Sequence, residues 1–319
     1  MPEFYIHHRT LYSYPEKVVD SANQIKLYPF NDNHQQVVSH LLKISQQPSI
    51  FTLQDYFNNT TGFFSLLQPH QELSIESFLR VQMSNPLYPS RDASSEVWDK
   101  ILAEDLQQRF FDYLRPEIAE SETEVRSILI ASEDKLVHPL DSLTSLSSFI
   151  YKNFTYKKGV TNIETQVDEI WKLKAGVCQD FAHLLLYMMR LLKIPGRYIS
   201  GYICPGTSEW RGEGATHAWV EAWLPDLGWV GIDPTNNCLA GERHVRLATG
   251  RNFTDTTPVK GTYKGAEEHI LEVTVQFSTT EFTEPQLAGI LPINLVAIEP
   301  EVMARNSYVA YMQMQQQQQ

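Results

Sequence analysis

At 319 residues, 42% of them apolar and 20% charged, the chain has the composition of an ordinary soluble globular protein but is long for one compact domain. A net charge of −12 argues against a nucleic-acid partner, whose phosphates reward basic surfaces, and against docking on an anionic membrane. The opening MPEFYIHHRTLYSY lacks the charged start and apolar core of a signal peptide, and no stretch approaches the roughly 20 apolar residues that span a bilayer, so a cytoplasmic location is expected.

Residues 1–90 read as short strands between polar turns. FYIHHRTLYSY is aromatic and β-branched; VVSHLLKIS, DYFNNTTGFFSLL and LSIESFLRVQ follow, with Asn58-Asn59 and Gly62 as turn signals. This predicts a β-rich N-terminal domain, followed by a linker at NPLYPSRDA (85–93), where two prolines interrupt any periodicity. From Ser94 to about Phe154 the apolar spacing changes to three and four residues in VWDKILAEDLQQRFFDYL, ETEVRSILIAS and LDSLTSLSSFIYKNF, as in amphipathic helices. A short helix in ETQVDEIWKLK ends towards Gly176, and an apolar helix over 178–193 is stopped by Ile194-Pro195-Gly196. Strands at RYISGYI, HAWVEAWL and GWVGID come next. A long arginine-bearing loop after Asn236 leads to the alternating strand HILEVTVQF (269–277), and the terminal MQMQQQQQ has the composition of a disordered tail. The expected partition is 1–90, then 91–265, then a C-terminal strand region with its tail over 266–319.

Three cysteines, Cys178, Cys204 and Cys238, make neither an even framework nor a CxxC pair. A disulfide is unexpected in a reducing compartment, and a structural zinc site lacks its ligand spacing, which leaves a reactive thiol. Cys178 stands at the first turn of the apolar helix. Unpaired amides there carry about half a positive charge, a field that favours a thiolate. Its own backbone N–H can serve as an oxyanion donor. Taken alone, a cysteine at a helix start is more often a small buried hydrophobe, but Gln179 and Asp180 beside it imply an exposed first turn.

His217 opens a run in which His217, Trp219, Glu221 and Trp223 share one face of a strand, and Asp233 closes the next run with the same parity. A hairpin centred on Pro225 would set His217 directly opposite Asp233. An imidazole facing a carboxylate across neighbouring strands is the geometry in which an orienting acid holds a base. Each residue alone has a bland reading, as a capped histidine or a turn aspartate. The matched parity favours function. Among the rest, His183 lies about 140° around the helix from the thiol and reads as structural. Asp180 reads as a helix-end residue, Cys204 and Cys238 as structural, and Trp219, Trp223 and Trp229 as core or cleft lining. Arg197, Tyr198 and Tyr202 are weaker cleft candidates, and Trp171 or Tyr156 are candidates to complete an oxyanion hole.

The segments GVCQDFAHLLLYMMRLLKIPGRYISGY, THAWVEAWLPDLGWVGIDPTNN and HVRLATGRNFTDTTPVKGTYKG closely resemble bacterial transglutaminase-like proteins, relatives of the papain-type cysteine proteases that carry a distinct N-terminal β-domain. The resemblance is strong over about 155–277 and looser over 1–90. It implies an α+β fold: a papain/transglutaminase-like core with the nucleophile at a helix N-terminus packed on an antiparallel sheet, preceded by a β-rich domain. It also implies a triad of Cys178, His217 and Asp233, and a thioester formed on a peptide or protein amide and resolved by water or an amine. No cofactor or metal is called for, since neither an EF-hand-type acidic loop nor zinc-binding cysteine pairs occur. A peptide or protein substrate is the expected partner, and the N-terminal β-domain the expected seat of a further protein partner. The alternative is a catalytically silent peptide-binding module of the same fold.

Overall fold

A computed structural model describes residues 1–86, 88, 95–130, 135–206, 210–212, 215–265 and 268–282. Most of the expected linker at 85–93 and all of the glutamine-rich tail lie outside the described residues.

The first sheet is organised by one 23-residue strand, β1 (Glu3–Ile25), longer than the separate short strands expected. Its first half pairs with β5 (His70–Met83) and its second half with β4 (Thr60–Leu66). β2 (Gln35–Ile44) and β3 (Phe51–Gln54) flank them in the order β2-β5-β1-β4-β3. The chain stays extended through YPEKVVDSANQI because the break between Ser13 and Val18 is a shift of register, not a turn. Gly62, expected in a turn, sits inside β4 opposite Ile25. A Cβ there would approach Ile25 Cγ1 to 2.9 Å and Ile50 Cγ2 to 3.1 Å, so its role is close packing. The turn itself uses Asn58 at φ 63°. The last described strands return to β1: β13 (Val259–Lys264) pairs with its second half and β14 (Ile270–Ser278) with its first.

The second unit packs helices on a five-stranded antiparallel sheet. Its strands are β8 (Gly196–Ile203), β9 (Thr216–Leu224), β10 (Gly228–Asp233), β11 (Cys238–Leu239) and β12 (His244–Gly250), in the order β11-β10-β9-β8-β12. Ala218, Val220, Ala222 and Leu224 of β9 share one core with Phe181, Leu184, Leu185 and Met188 of α7 (Cys178–Leu191). Elsewhere Tyr202, Val245 and Leu247 join a second core with Ile6, Tyr12 and Val81 of the N-terminal sheet. The segment 244–250, expected as loop, is therefore a strand. A register shift between Arg246 and Ala248 breaks its alternation, and only pairing with β8 makes it extended. α7 stops at Leu191, where Lys193 takes φ 61° ahead of Pro195. Among the described residues no helix is long and apolar enough to cross a membrane.

Candidate active site

The start of α7 is built by short-range hydrogen bonds. β7 (Ala175–Gly176) pairs in parallel with β6 (Thr155–Tyr156), which brings Tyr156 alongside the entrance to the helix. Asp180 then reaches back: its Oδ2 accepts from the Val177 N–H at 2.8 Å and from the Thr161 hydroxyl at 2.6 Å. A Cβ on Gly176 would lie 2.6 Å from that oxygen, so only glycine admits the carboxylate. Contrary to the exposed first turn expected, Cys178, Gln179 and Asp180 are all buried.

Burial lifts the Asp180 carboxyl to about 6, against the pull of those two hydrogen bonds. An acid raised in the fold favours the folded state fully below its unfolded value near 3.8, and that share is lost as pH rises through about 6. Asp180→Asn keeps an acceptor for Val177 and cannot ionise. Its stability relative to wild type should climb by about 2 kcal/mol between pH 4 and 7, which paired thermal melts would read.

His217 is the second residue of β9, with its Nε2 2.9 Å from Asp233 Oδ2. The pairing is not the predicted one. Trp229 faces Trp223 and Ile232 faces Val220, so the hairpin is centred on Asp226 rather than Pro225. Leu227 N–H donates to Leu224 O at 3.1 Å, and Gly228 at φ 74° completes the turn. A slip of two residues leaves the face unchanged, and the two side chains meet on the diagonal.

Asp233 accepts five hydrogen bonds. Oδ2 takes His217 Nε2, His244 Nε2 at 3.2 Å and Asn236 Nδ2 at 2.8 Å. Oδ1 takes the backbone N–H of Thr235 at 2.9 Å and of Asn236 at 3.2 Å. Burial alone would raise this carboxyl, but the charge on His217 and the hydrogen bonds from His217 and His244 hold it far below the usual range. Burial likewise works to lower His217, yet the charges of Asp233 and Cys178 outweigh it and lift the ring to about 10.

His217 Nδ1, the nitrogen away from Asp233, is buried without a well-formed hydrogen bond among the described residues. The Cys178 thiol acts on this ring both by charge and as a side-chain hydrogen-bonding neighbour. Gly212, at φ 76°, covers the same nitrogen, since a Cβ there would sit 2.9 Å from Nδ1. Gly212→Ala should therefore displace the imidazole and slow alkylation of Cys178 by about tenfold or more. Iodoacetamide labelling followed by intact mass measures this; an unchanged rate would remove Gly212 from the site.

Tyr156 Oη and Arg211 Nη1 are also buried without partners among the described residues. Tyr156 lies within the charge field of Cys178, Asp233 and Arg211. Lys158 is close enough to feel Cys178 as well. Trp171, the other oxyanion candidate, donates its Nε1 to Glu124 at 2.7 Å and does not serve the site.

Of the cleft candidates only Tyr198 shares the surroundings of the thiol. Arg197 turns to Glu221, 2.5 Å away, and stacks 4.1 Å over Trp229. Tyr202 hydrogen-bonds His8 of the N-terminal sheet at 2.8 Å. Trp219 stacks beside His217, whereas Trp223 and Trp229 pack with Phe110. His183 Nε2 accepts from the Phe253 N–H at 3.2 Å, and Cys204 is buried in the second core. Asp233, Cys238 and His244 bring ligand-type atoms within 4.8 Å of one another. The His244–Asp233 hydrogen bond and the pairing of Asp233 with Cys238 between β10 and β11 account for that grouping, and the Arg243 cation beside Cys238 opposes a metal there. His244, Asn236, Arg211 and Gly212 were not anticipated. The only sequence signal for His244 and Asn236 is that each falls inside a segment carrying the family resemblance.

A helix-start cysteine on an antiparallel sheet, with histidine and aspartate on adjacent strands, defines a transglutaminase-like core. Residues 131–234 match the Transglutaminase-like superfamily and residues 4–82 match the bacterial transglutaminase-like N-terminal region. The chain belongs to this superfamily. Uncharacterized proteins of Mycobacterium tuberculosis and Mycobacterium bovis are each 34% identical over 286 residues, 84% of this chain and 90% of theirs. A protein-glutamine gamma-glutamyltransferase of Pseudomonas aeruginosa is 31% identical over 97 residues, 28% of this chain and 14% of that protein. The fold is shared with a proposed cysteine protease from Cytophaga hutchinsonii, at TM-score 0.66 and 20% identity over 88% of this chain and 92% of that one.

Proposed function

We propose that this protein is a thiol-dependent enzyme that transfers acyl groups from amide bonds of peptides or proteins, with Cys178 as nucleophile, His217 as base and acid, and Asp233 as orienter. The observation that carries the reading is a single imidazole with Asp233 on one nitrogen and the Cys178 thiol as the neighbour of its other side. His217 takes the thiol proton at Nδ1 while Asp233 holds Nε2–H and stabilises the imidazolium. The thiolate adds to the acyl carbon, and the Cys178 backbone N–H with the Tyr156 hydroxyl supports the oxyanion. The imidazolium then protonates the departing amine, leaving a thioester that water or a second amine resolves. Cys178 has no exposed surface, so an acyl donor is admitted only when the residues over it give way. A protein partner of the N-terminal sheet belongs to the same reading, with Val38, Leu41, Phe51 and Leu53 as the exposed apolar side chains available to it.

The test is alkylation of Cys178 by iodoacetamide across pH, in wild type and in His217→Ala. Wild type is expected to react at pH 6 and the variant only in the alkaline range of an ordinary thiol. Coincident profiles would refute an activated pair. In a cell extract, an amine-tagged probe should trap an acylated donor on wild type and nothing on Cys178→Ala. Peptide binding retained by Cys178→Ala, with no turnover by wild type, would instead favour the binding module.

A further inference from the structure

We propose that His244 is a positioning residue that acts through Asp233, a second imidazole on the orienting carboxylate that takes up part of its charge; the inference rests on the acyl-transfer reading. His217 and His244 meet the same oxygen, Oδ2, at 2.9 and 3.2 Å. The other nitrogen of His244, Nδ1, receives the Gly241 backbone N–H at 3.2 Å, inside a turn closed by His244 N–H to Gly241 O at 3.0 Å. A backbone amide only donates, so Nδ1 is the acceptor and Nε2 carries the proton given to Asp233. The local turn thus selects the tautomer. Trp219 meets the ring edge-on at 5.2 Å and Trp210 lies at 5.5 Å, which fixes its plane.

The charged and titratable groups facing His244 are Asp233, His217, Arg243 and the thiol of Cys238; those facing His217 are Asp233, Cys178 and His244. Burial keeps the His244 ring neutral, so it serves as a dipole, not as a rival cation. With one donor fewer, Oδ2 would hold the His217 proton more tightly. The imidazolium would persist over a wider range and part with its proton less readily when an amine leaves.

The same strand joins the core to the N-terminal β-domain. Two residues beyond His244, Arg246 N–H donates to Gln35 Oε1 at 2.7 Å and Arg246 O accepts from Gln35 Nε2 at 2.9 Å. The side-chain amide of Gln35 pairs with β12 as a neighbouring strand would. Arg246 also salt-bridges Asp32. The N-terminal domain therefore holds the strand that carries His244, and reaches the triad through it.

The experiment compares the pH profile of Cys178 alkylation by iodoacetamide in wild type, His244→Leu and His244→Gln. The leucine variant removes the donor; the glutamine variant keeps one. One hydrogen bond's worth of tempering predicts that the onset of alkylation moves about half a unit to one unit lower in pH in His244→Leu and returns towards wild type in His244→Gln. A profile that does not move, or moves to higher pH, would overturn the proposal. A wild type that fails to react at pH 6 would instead overturn the acyl-transfer reading. If His244→Leu does not fold, His244→Gly decides. His244 borders a cavity of about 290 Å³ shared with Trp219, Gly231, Gly241 and Gln35, room enough for added imidazole. Recovery of the wild-type profile on adding imidazole supports the proposal, and indifference to imidazole sinks it.

Discussion

Asp233→Asn is expected to lower the proposed activity by about four orders of magnitude, the scale on which a triad loses its orienting carboxylate. The cause lies in which atoms face the oxygen being replaced. The backbone donors of Thr235 and Asn236 fix one oxygen of the side chain, so the amide NH₂ of an asparagine must take the Oδ2 position. There it would donate to His217 Nε2 and force the ring proton onto Nδ1, leaving nothing to receive the proton of the thiol. It would also press an N–H against the donors of His244 and Asn236, which should cost about 1–3 kcal/mol of stability.

The pH dependence follows from the same pair. The lowered Asp233 carboxyl contributes stability above its unfolded value of 3.8, and that share is lost as pH falls. The raised His217 contributes below its unfolded value of 6.5, and that share is lost as pH rises through about 10. Wild type should therefore lose stability at both ends of the range, and Asp233→Asn should flatten both limbs. Thermal melts from pH 3 to 11, read beside single-turnover labelling, check the prediction. A variant with near-normal labelling would remove Asp233 from the mechanism.

Arg190→Ala should destabilise the fold by about 3–5 kcal/mol, the range seen when one member of a buried ion pair is removed. Arg190 lies in the last turn of α7, almost wholly buried, where a cation suits the helix C-terminus. Its guanidinium salt-bridges Glu117 and donates to the Arg251 carbonyl at 2.5 Å. One side chain thereby ties the helix that carries Cys178 to the segment before α4 (Glu122–Leu129) and to the loop entering α8 (Phe253–Thr256). Alanine would leave a cavity and an orphaned carbonyl, with Glu117 keeping only the longer ion pair to Arg251 at 3.6 Å. Replacing both partners, Arg190→Met with Glu117→Leu, should recover most of the loss, since an apolar pair of similar volume carries no desolvation penalty. Urea unfolding midpoints separate the cases. A loss below about 1 kcal/mol for Arg190→Ala would show the pair to be incidental.

Features that depend on neighbours within a turn or two of chain are legible in the sequence. The apolar spacing of α7, its glycine-led start and its stop at Pro195 are local, and so is the period-two alternation that puts His217 and Asp233 on one face. Parity survives a slip of two residues. His217 therefore meets Asp233 although the rung differs from the predicted one, because the turn is centred on Asp226. The rest is set by contacts between distant parts of the chain. β12 is a strand because β8 offers it an edge and Gln35 flanks its other side. The first turn of α7 is buried because Asp180 folds back under Thr161 and Val177. β13 and β14 complete the sheet begun by β1, a pairing across most of the chain. Such contacts follow from non-local burial, to which no single window of residues responds. His244 is one of them: its ring is aimed by a turn of its own and by two tryptophans, but Asp233 is brought to it only when the sheet assembles.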